Sequence, residues 1–158
     1  MTVNELAHQF YSSFTEKNVE GMILCYSHDI HFYDPVFGDL YGDEAKAMWC
    51  MLTKNMDVNG TIDYKIVEIH ELKAIVKWKA SYPFGPKRRI VVNNITAELY
   101  VEDGKIVKHI DTFNLWKWSR QAFGVPGILL GWTPFFKRKL RRTVRKRLKH
   151  YMAEDPRF

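Results

Sequence analysis

From residue 61 onward the chain repeats one pattern four times. Stretches near 61–71, 73–83, 88–101 and 105–115 each alternate apolar and polar residues and are separated by short turn sequences. A period of two suits a strand with one buried face and does not suit a helix. Pro83-Phe84-Gly85-Pro86 separates the middle pair, and Glu102-Asp103-Gly104 joins the last pair as a tight hairpin. Four strands linked in this way form an antiparallel meander.

The residues before the meander have helical spacing instead. Val3, Leu6, Ala7, Phe10 and Phe14 form an apolar stripe, and Thr2 with Glu5 has the S/T-x-x-E spacing of a capping box. Asn18 can cap a short second helix carrying Val19, Met22, Ile23 and Tyr26. Asp29 to Asp34 reads as a strand closed by Pro35 and Gly38, and a third helix runs from near Gly42 to Asn55. Helices first and strands afterwards predict an α+β domain, with the helices laid on the concave face of a curved sheet.

The sequence divides into a domain over 1–124 and an extension over 125–158. A short helix over 115–123 ends at Gly124. An apolar stretch interrupted by Pro126, Gly127, Gly131 and Pro134 leads into a last helix near 134–153, with Phe136, Leu140, Val144, Leu148 and Met152 along one stripe. Charge follows the same division. Residues 1–136 carry 14 Lys and Arg against 16 Asp and Glu, whereas residues 137–158 carry 10 against 2. The overall charge of +6 therefore belongs to the tail and does not mark the domain as a nucleic-acid binder. No run approaches the ~20 apolar residues of a membrane span, and the N-terminus lacks the pattern of a signal peptide. Cys25 and Cys50 read as small buried hydrophobes of a reducing compartment, so a cytoplasmic protein is expected.

Two motifs carry a resemblance. Phe32-Tyr33-Asp34-Pro35-Val36-Phe37-Gly38, followed by Tyr41-Gly42, resembles the Asp-Pro-x-Gly stretch that ends the first strand of ketosteroid isomerase-like proteins. Glu102-Asp103-Gly104-Lys105-Ile106, leading to His109-Ile110-Asp111-Thr112-Phe113, resembles their final hairpin. Together with the order of elements, these segments are similar to the nuclear transport factor 2 superfamily, in its SnoaL-like and ketosteroid isomerase-like branch. The resemblance spans about residues 3–116. It implies a cone-shaped fold, a pocket inside the cone and a homodimer. It also implies a general-base role for Asp34, as in the isomerases, and an acid/base role for Asp111, as in SnoaL-like cyclases. The isomerases' oxyanion-hole positions fall here on Phe10 and Thr96. Tyr11 is adjacent, but one residue along a helix turns the side chain by ~100°. The electrophilic half of the isomerase site is therefore missing, which argues against steroid isomerisation.

The expected chemistry is proton transfer without a cofactor. A carboxylate in an apolar cavity has its charged form disfavoured, so Asp34 or Asp111 could take a proton beside a carbonyl while His109 relays it. Under the resemblance, Phe10, Tyr26, Trp49, Trp78, Phe113 and Trp116 line the pocket, and Asn94, Thr96 and Glu98 point into it. Structural alternatives stand beside these roles. Asp34 can cap a turn, His109 and Asp111 can pair with each other, and Glu98 can be a solvated strand residue. His28 and His31 fall on opposite strand faces, so no metal site is expected. The tail can pack on the domain or on a second subunit, lie on an anionic membrane through residues 128–150, or bind nucleic acid, which ranks last because the basic segment lacks stacking aromatics. The resulting expectation is an isomerase-, cyclase- or dehydratase-like enzyme acting on a small apolar carbonyl compound. The alternative is a non-catalytic module that binds a hydrophobic ligand or a partner. Unpaired carboxyls facing a closed cavity favour the enzyme, and an interior filled by side chains favours the module.

Overall fold

The computed structural model describes residues 1–158. Its elements are α1 (Val3–Thr15), α2 (Val19–Leu24), β1 (Tyr26–Asp34), β2 (Gly38–Tyr41), α3 (Asp43–Asn55), β3 (Thr61–Ile69), β4 (Lys73–Phe84), β5 (Arg89–Glu102), β6 (Lys105–Thr112), α4 (Leu115–Phe123), α5 (Val125–Leu130) and α6 (Pro134–Glu154). The capping box opens α1: Glu5 N–H donates to Thr2 Oγ1 at 3.2 Å, and Thr2 N–H donates to the Glu5 carboxylate at 2.8 Å. Asn18 caps α2 by accepting the Gly21 N–H.

The six strands form one sheet in the order β2-β1-β6-β5-β4-β3. The ladders β1–β2, β3–β4, β4–β5 and β5–β6 are antiparallel, as the meander requires. β1 lies parallel to β6, so the sheet expected to be antiparallel carries one parallel ladder at the seam between its two halves. This seam matters for the site, because it sets residues of β1 and β6 side by side on the same face.

α1 packs on β3 and β4, and α3 packs on β1 and β2. One core cluster fills the space between helices and sheet, with Leu6, Phe10, Tyr11, Met22, Phe32, Met48 and Leu99 among its fully buried side chains. A smaller cluster of Val91, Leu115, Trp118 and Ala122 sits beneath α4. Val36 and Tyr82 are half-buried and touch both clusters.

The tail docks on this domain. Leu148 of α6 is buried, and Val144, Tyr151 and Met152 pack against the main core. Arg141 donates to the carbonyls of Pro35 and Val36, while Arg145 donates to those of Phe37 (2.6 Å) and Asp39 (3.0 Å). The helix thus holds the β1–β2 turn through backbone acceptors. Leu148→Ala should cost about 2–4 kcal/mol, the range for deleting a buried leucine. Urea unfolding measures this directly, and a loss under ~0.5 kcal/mol would mean that α6 is not part of the cooperative fold.

α5 packs in an unusual sense. Its one glycine, Gly127, faces inward, as does Gly131 just past its end. A Cβ on Gly127 would lie 2.0 Å from the Ser119 carbonyl oxygen, so only glycine allows this approach of α5 to α4. A Cβ on Gly131 would lie 2.7 Å from Ser119 Cβ. The large apolar side chains of α5 consequently point to water.

Candidate active site

The parallel seam explains the site. Phe32 of β1 pairs in register with His109 of β6, and Tyr33 with Ile110. The next step along both strands brings Asp34 beside Asp111. Side chains alternate faces, so Phe32 and Asp34 share the inner face with His109 and Asp111. Two candidate carboxylates thus lie on adjacent strands at one end of the cone.

His109 sits in the middle of the interior and is fully buried. The rings of Phe10, Tyr11, Tyr26, Phe32 and Trp49 surround it, with centroids 5.2–6.5 Å away. Its two nitrogens are both engaged. Nδ1 is 2.7 Å from the Tyr26 hydroxyl, and Nε2 is 2.9 Å from Asp111 Oδ1. Trp49 Nε1–H donates to the same Tyr26 oxygen at 2.8 Å, and Trp78 Nε1–H donates to Asp111 Oδ1 at 3.3 Å. An indole can only donate, so the Tyr26 oxygen accepts from Trp49 and shares a second hydrogen bond with His109 Nδ1. His109 Nε2–H is donated to Asp111 Oδ1. A single chain of hydrogen bonds runs from Trp49 through Tyr26 and His109 to Asp111.

Two further polar groups face the same region. The Tyr11 hydroxyl is buried and makes no hydrogen bond. Burial pushes this phenol well above its usual range, and the Asp111 charge pushes in the same direction. Tyr26 is raised for the same two reasons. Asp34 accepts the N–H groups of Val36 (2.8 Å) and Phe37 (2.6 Å) on Oδ1. It therefore caps the turn, as the structural alternative had it. Burial nevertheless pushes its carboxyl up to about 7, outweighing those two N–H donors, and the Asp111 charge adds to the rise.

The pocket expectation needs correcting at several positions. Phe10, Tyr26 and Trp49 face the interior but pack against one another and His109, so the deep end of the cone is filled by side chains. Trp78 is half-buried at its edge, beside Asp111. Asn94, Thr96 and Glu98 lie on the outer face. Ala97 pairs with Asp111 and Leu99 with His109, so the inward set of β5 is Ile95, Ala97 and Leu99. Glu98 instead pairs with Lys73 on that outer face. Thr96 thus cannot supply an acid inside the cone. Phe113 leaves the sheet and packs on the smaller cluster. Trp116 is exposed, stacks under Arg120 and donates to the Ile128 carbonyl, away from the cone.

Sequence reasoning set Tyr11 aside on the ~100° turn between neighbouring helix positions, yet Val3, Ala7, Tyr11 and Phe14 also follow helical spacing and Tyr11 is fully buried. A surface groove of about 540 Å³ between α1 and β3, lined by His8, Tyr64 and Glu68 among others, contains none of the network residues. His31 binds Asp39 at 2.7 Å on the edge strand. Both cysteines are free and buried, and burial pushes the Cys25 thiol up to about 11, which leaves it unreactive.

The SnoaL-like domain family matches residues 7–109. The chain belongs to that family. Among solved structures, it is similar to a candidate polyketide cyclase of Pseudomonas putida KT2440, with 16% identity and a TM-score of 0.65 over 77% of this chain and 98% of the other. It is also similar to an NTF2-like protein of unknown function from Burkholderia pseudomallei K96243, at 13% identity and a TM-score of 0.64 over 76% and 96% of the two chains. A third similar structure is SalBIII, an epoxide hydrolase/cyclase-like enzyme in pyran ring formation in the polyether salinomycin, at 16% identity and a TM-score of 0.61 over 71% and 90%. These likenesses support the cone-shaped α+β fold. No curated protein matches the chain.

Proposed function

We propose that this SnoaL-like chain is a cofactor-free proton-transfer enzyme acting on a small apolar carbonyl compound, with Asp111 as base and Asp34 as acid. The observation that carries the reading is the pair of inward carboxyls on adjacent strands, held in different environments. Asp111 accepts N–H donors from His109 and Trp78 on Oδ1, which leaves Oδ2 to take a proton. Asp34 is raised to about 7, so it still holds a proton near neutrality. Two carboxyls separated in this way divide into proton acceptor and proton donor. His109 is enclosed by aromatic rings and cannot touch a substrate. It acts as a positioning residue, fixing the Asp111 carboxylate through Nε2–H. A substrate would approach from the half-buried border marked by Trp78 beside Asp111 and Val36 beside Asp34, and the free Tyr11 hydroxyl is available to an oxygen of the bound compound.

Similar proteins described as polyketide cyclases and as an epoxide hydrolase/cyclase-like enzyme are consistent with this class of chemistry. Two observations favour the alternative of a non-catalytic binding module: the deep end of the cone is filled by rings, and both carboxyls are engaged, Asp34 by the turn and Asp111 by His109 and Trp78. The test is hydrogen–deuterium exchange beside the carbonyl in a panel of aromatic ketones and β-dicarbonyl compounds, followed by proton NMR in D2O. Protein-dependent exchange with at least one compound is expected. Binding of panel compounds without exchange, or neither binding nor exchange, would replace the enzyme by the module.

A further inference from the structure

We propose that α5 and the outer face of α6 dock this protein on an anionic lipid bilayer. The argument begins with the inverted packing of α5. Gly127 and the following Gly131 are used against α4, which leaves Val125, Ile128, Leu129 and Leu130 each between 47% and 66% exposed. Trp132 and Phe135 continue the same surface at 61% and 64%. So many large apolar side chains on neighbouring exposed positions form a patch, and patches of this kind mark contact surfaces.

The adjoining surface decides what the contact is. A helix advances ~100° per residue, so Phe135, Arg138, Lys139, Arg142, Lys146 and Lys149 share one face of α6, opposite the docked Val144 and Leu148. All six are exposed. The five cations on this face form no ion pair, whereas Arg141, Arg145 and Arg157 are bound to the protein itself. Phe135 lines a shallow groove with Arg138, Lys139 and Arg142, so the apolar and cationic surfaces are continuous. An apolar, aromatic edge beside a row of unpaired cations matches the acyl–headgroup boundary of an anionic leaflet. A nucleic acid would use the cations but would leave Ile128, Leu129 and Leu130 in water.

Flotation of the full chain with lipid vesicles tests this. Vesicles of phosphatidylcholine containing about one-third phosphatidylserine should bind at least ~10-fold more protein than phosphatidylcholine alone, less so in high salt. Arg138→Glu with Arg142→Glu, and separately Leu129→Ser with Trp132→Ser, should each weaken binding ~10-fold or more. Neither pair touches the carboxyl site. Equal binding to both vesicle types would overturn the proposal. It would also fail if the Leu129 and Trp132 variant binds vesicles and homopolymeric RNA as the parent does, because the cations would then serve a polyanion. Dimers that this variant converts to monomers, with no vesicle bound, would assign the patch to a second copy of the chain.

Discussion

Asp111→Asn will slow proton exchange by ~100-fold or more while leaving the protein folded. The substitution keeps the shape of the side chain and an oxygen that can accept from His109 Nε2–H and Trp78 Nε1–H, now 2.9 and 3.3 Å from Asp111 Oδ1. It removes only the capacity to take a proton. Asp111 is 3% exposed, so water cannot readily substitute for the lost base. A loss of 100-fold corresponds to about 2.7 kcal/mol of transition-state stabilisation, within the usual range for general-base catalysis. Thermal unfolding and exchange should be measured on the same sample. A variant that melts like the parent and exchanges at the parental rate would make Asp111 a structural partner of His109. A second variant, His109→Gln, separates positioning from chemistry. It should lower exchange less than Asp111→Asn does, because the carboxylate remains but is held less firmly.

How much of this was legible in the sequence differs from element to element. α1 and its capping box, the hairpin at Glu102-Asp103-Gly104 and the four long strands follow from local patterns, because caps, turns and alternation are properties of adjacent residues. β2 was not legible, since Gly38-Asp39-Leu40-Tyr41 is too short to display alternation and begins in a turn. The parallel ladder was not legible either. Which strands meet, and in what sense, depends on the whole path of the chain. On β5 the plain rule would have sufficed: Ile95, Ala97 and Leu99 are the apolar set and face inward, whereas the resemblance had assigned Asn94, Thr96 and Glu98 to the pocket. On β6 the plain rule fails. A register shift between Tyr100 and Val101 lets Ile106 and His109, three residues apart, both point inward. Alternation counted from Ile106 would have turned His109 and Asp111 outward. The buried network thus depends on an irregularity that composition and periodicity do not announce.

Asp34→Asn is expected to stabilise the protein at pH 8 by roughly 2 kcal/mol and to remove a pH dependence of stability between about 4 and 7. The sign follows from the raised carboxyl. Its ordinary value is 3.8, and burial lifts it to about 7 in the folded chain. Below its ordinary value both folded and unfolded chains hold the proton, and the site costs nothing. Between 3.8 and about 7 only the folded chain holds it, so stability falls with each step up in pH. Above about 7 the folded chain carries the buried charge and the full cost is in place. The three-unit rise is equivalent to about 4 kcal/mol, and partial solvent contact of the residue reduces the expectation to about half. Asparagine keeps an oxygen for the Val36 and Phe37 N–H groups, so the turn held by Arg141 and Arg145 need not change. The same variant reports on catalysis. If Asp34 donates the proton, exchange by the parent declines as pH rises through about 7, and Asp34→Asn lacks that decline as well as most of the rate. Urea midpoints of parent and variant across pH 4 to about 8 separate the outcomes. Curves that stay parallel would show that the folded chain ionises Asp34 at its ordinary value, and the acid role would have to be given up. A difference that grows between pH 4 and 7 and then levels off would place the proton on Asp34 where the mechanism needs it.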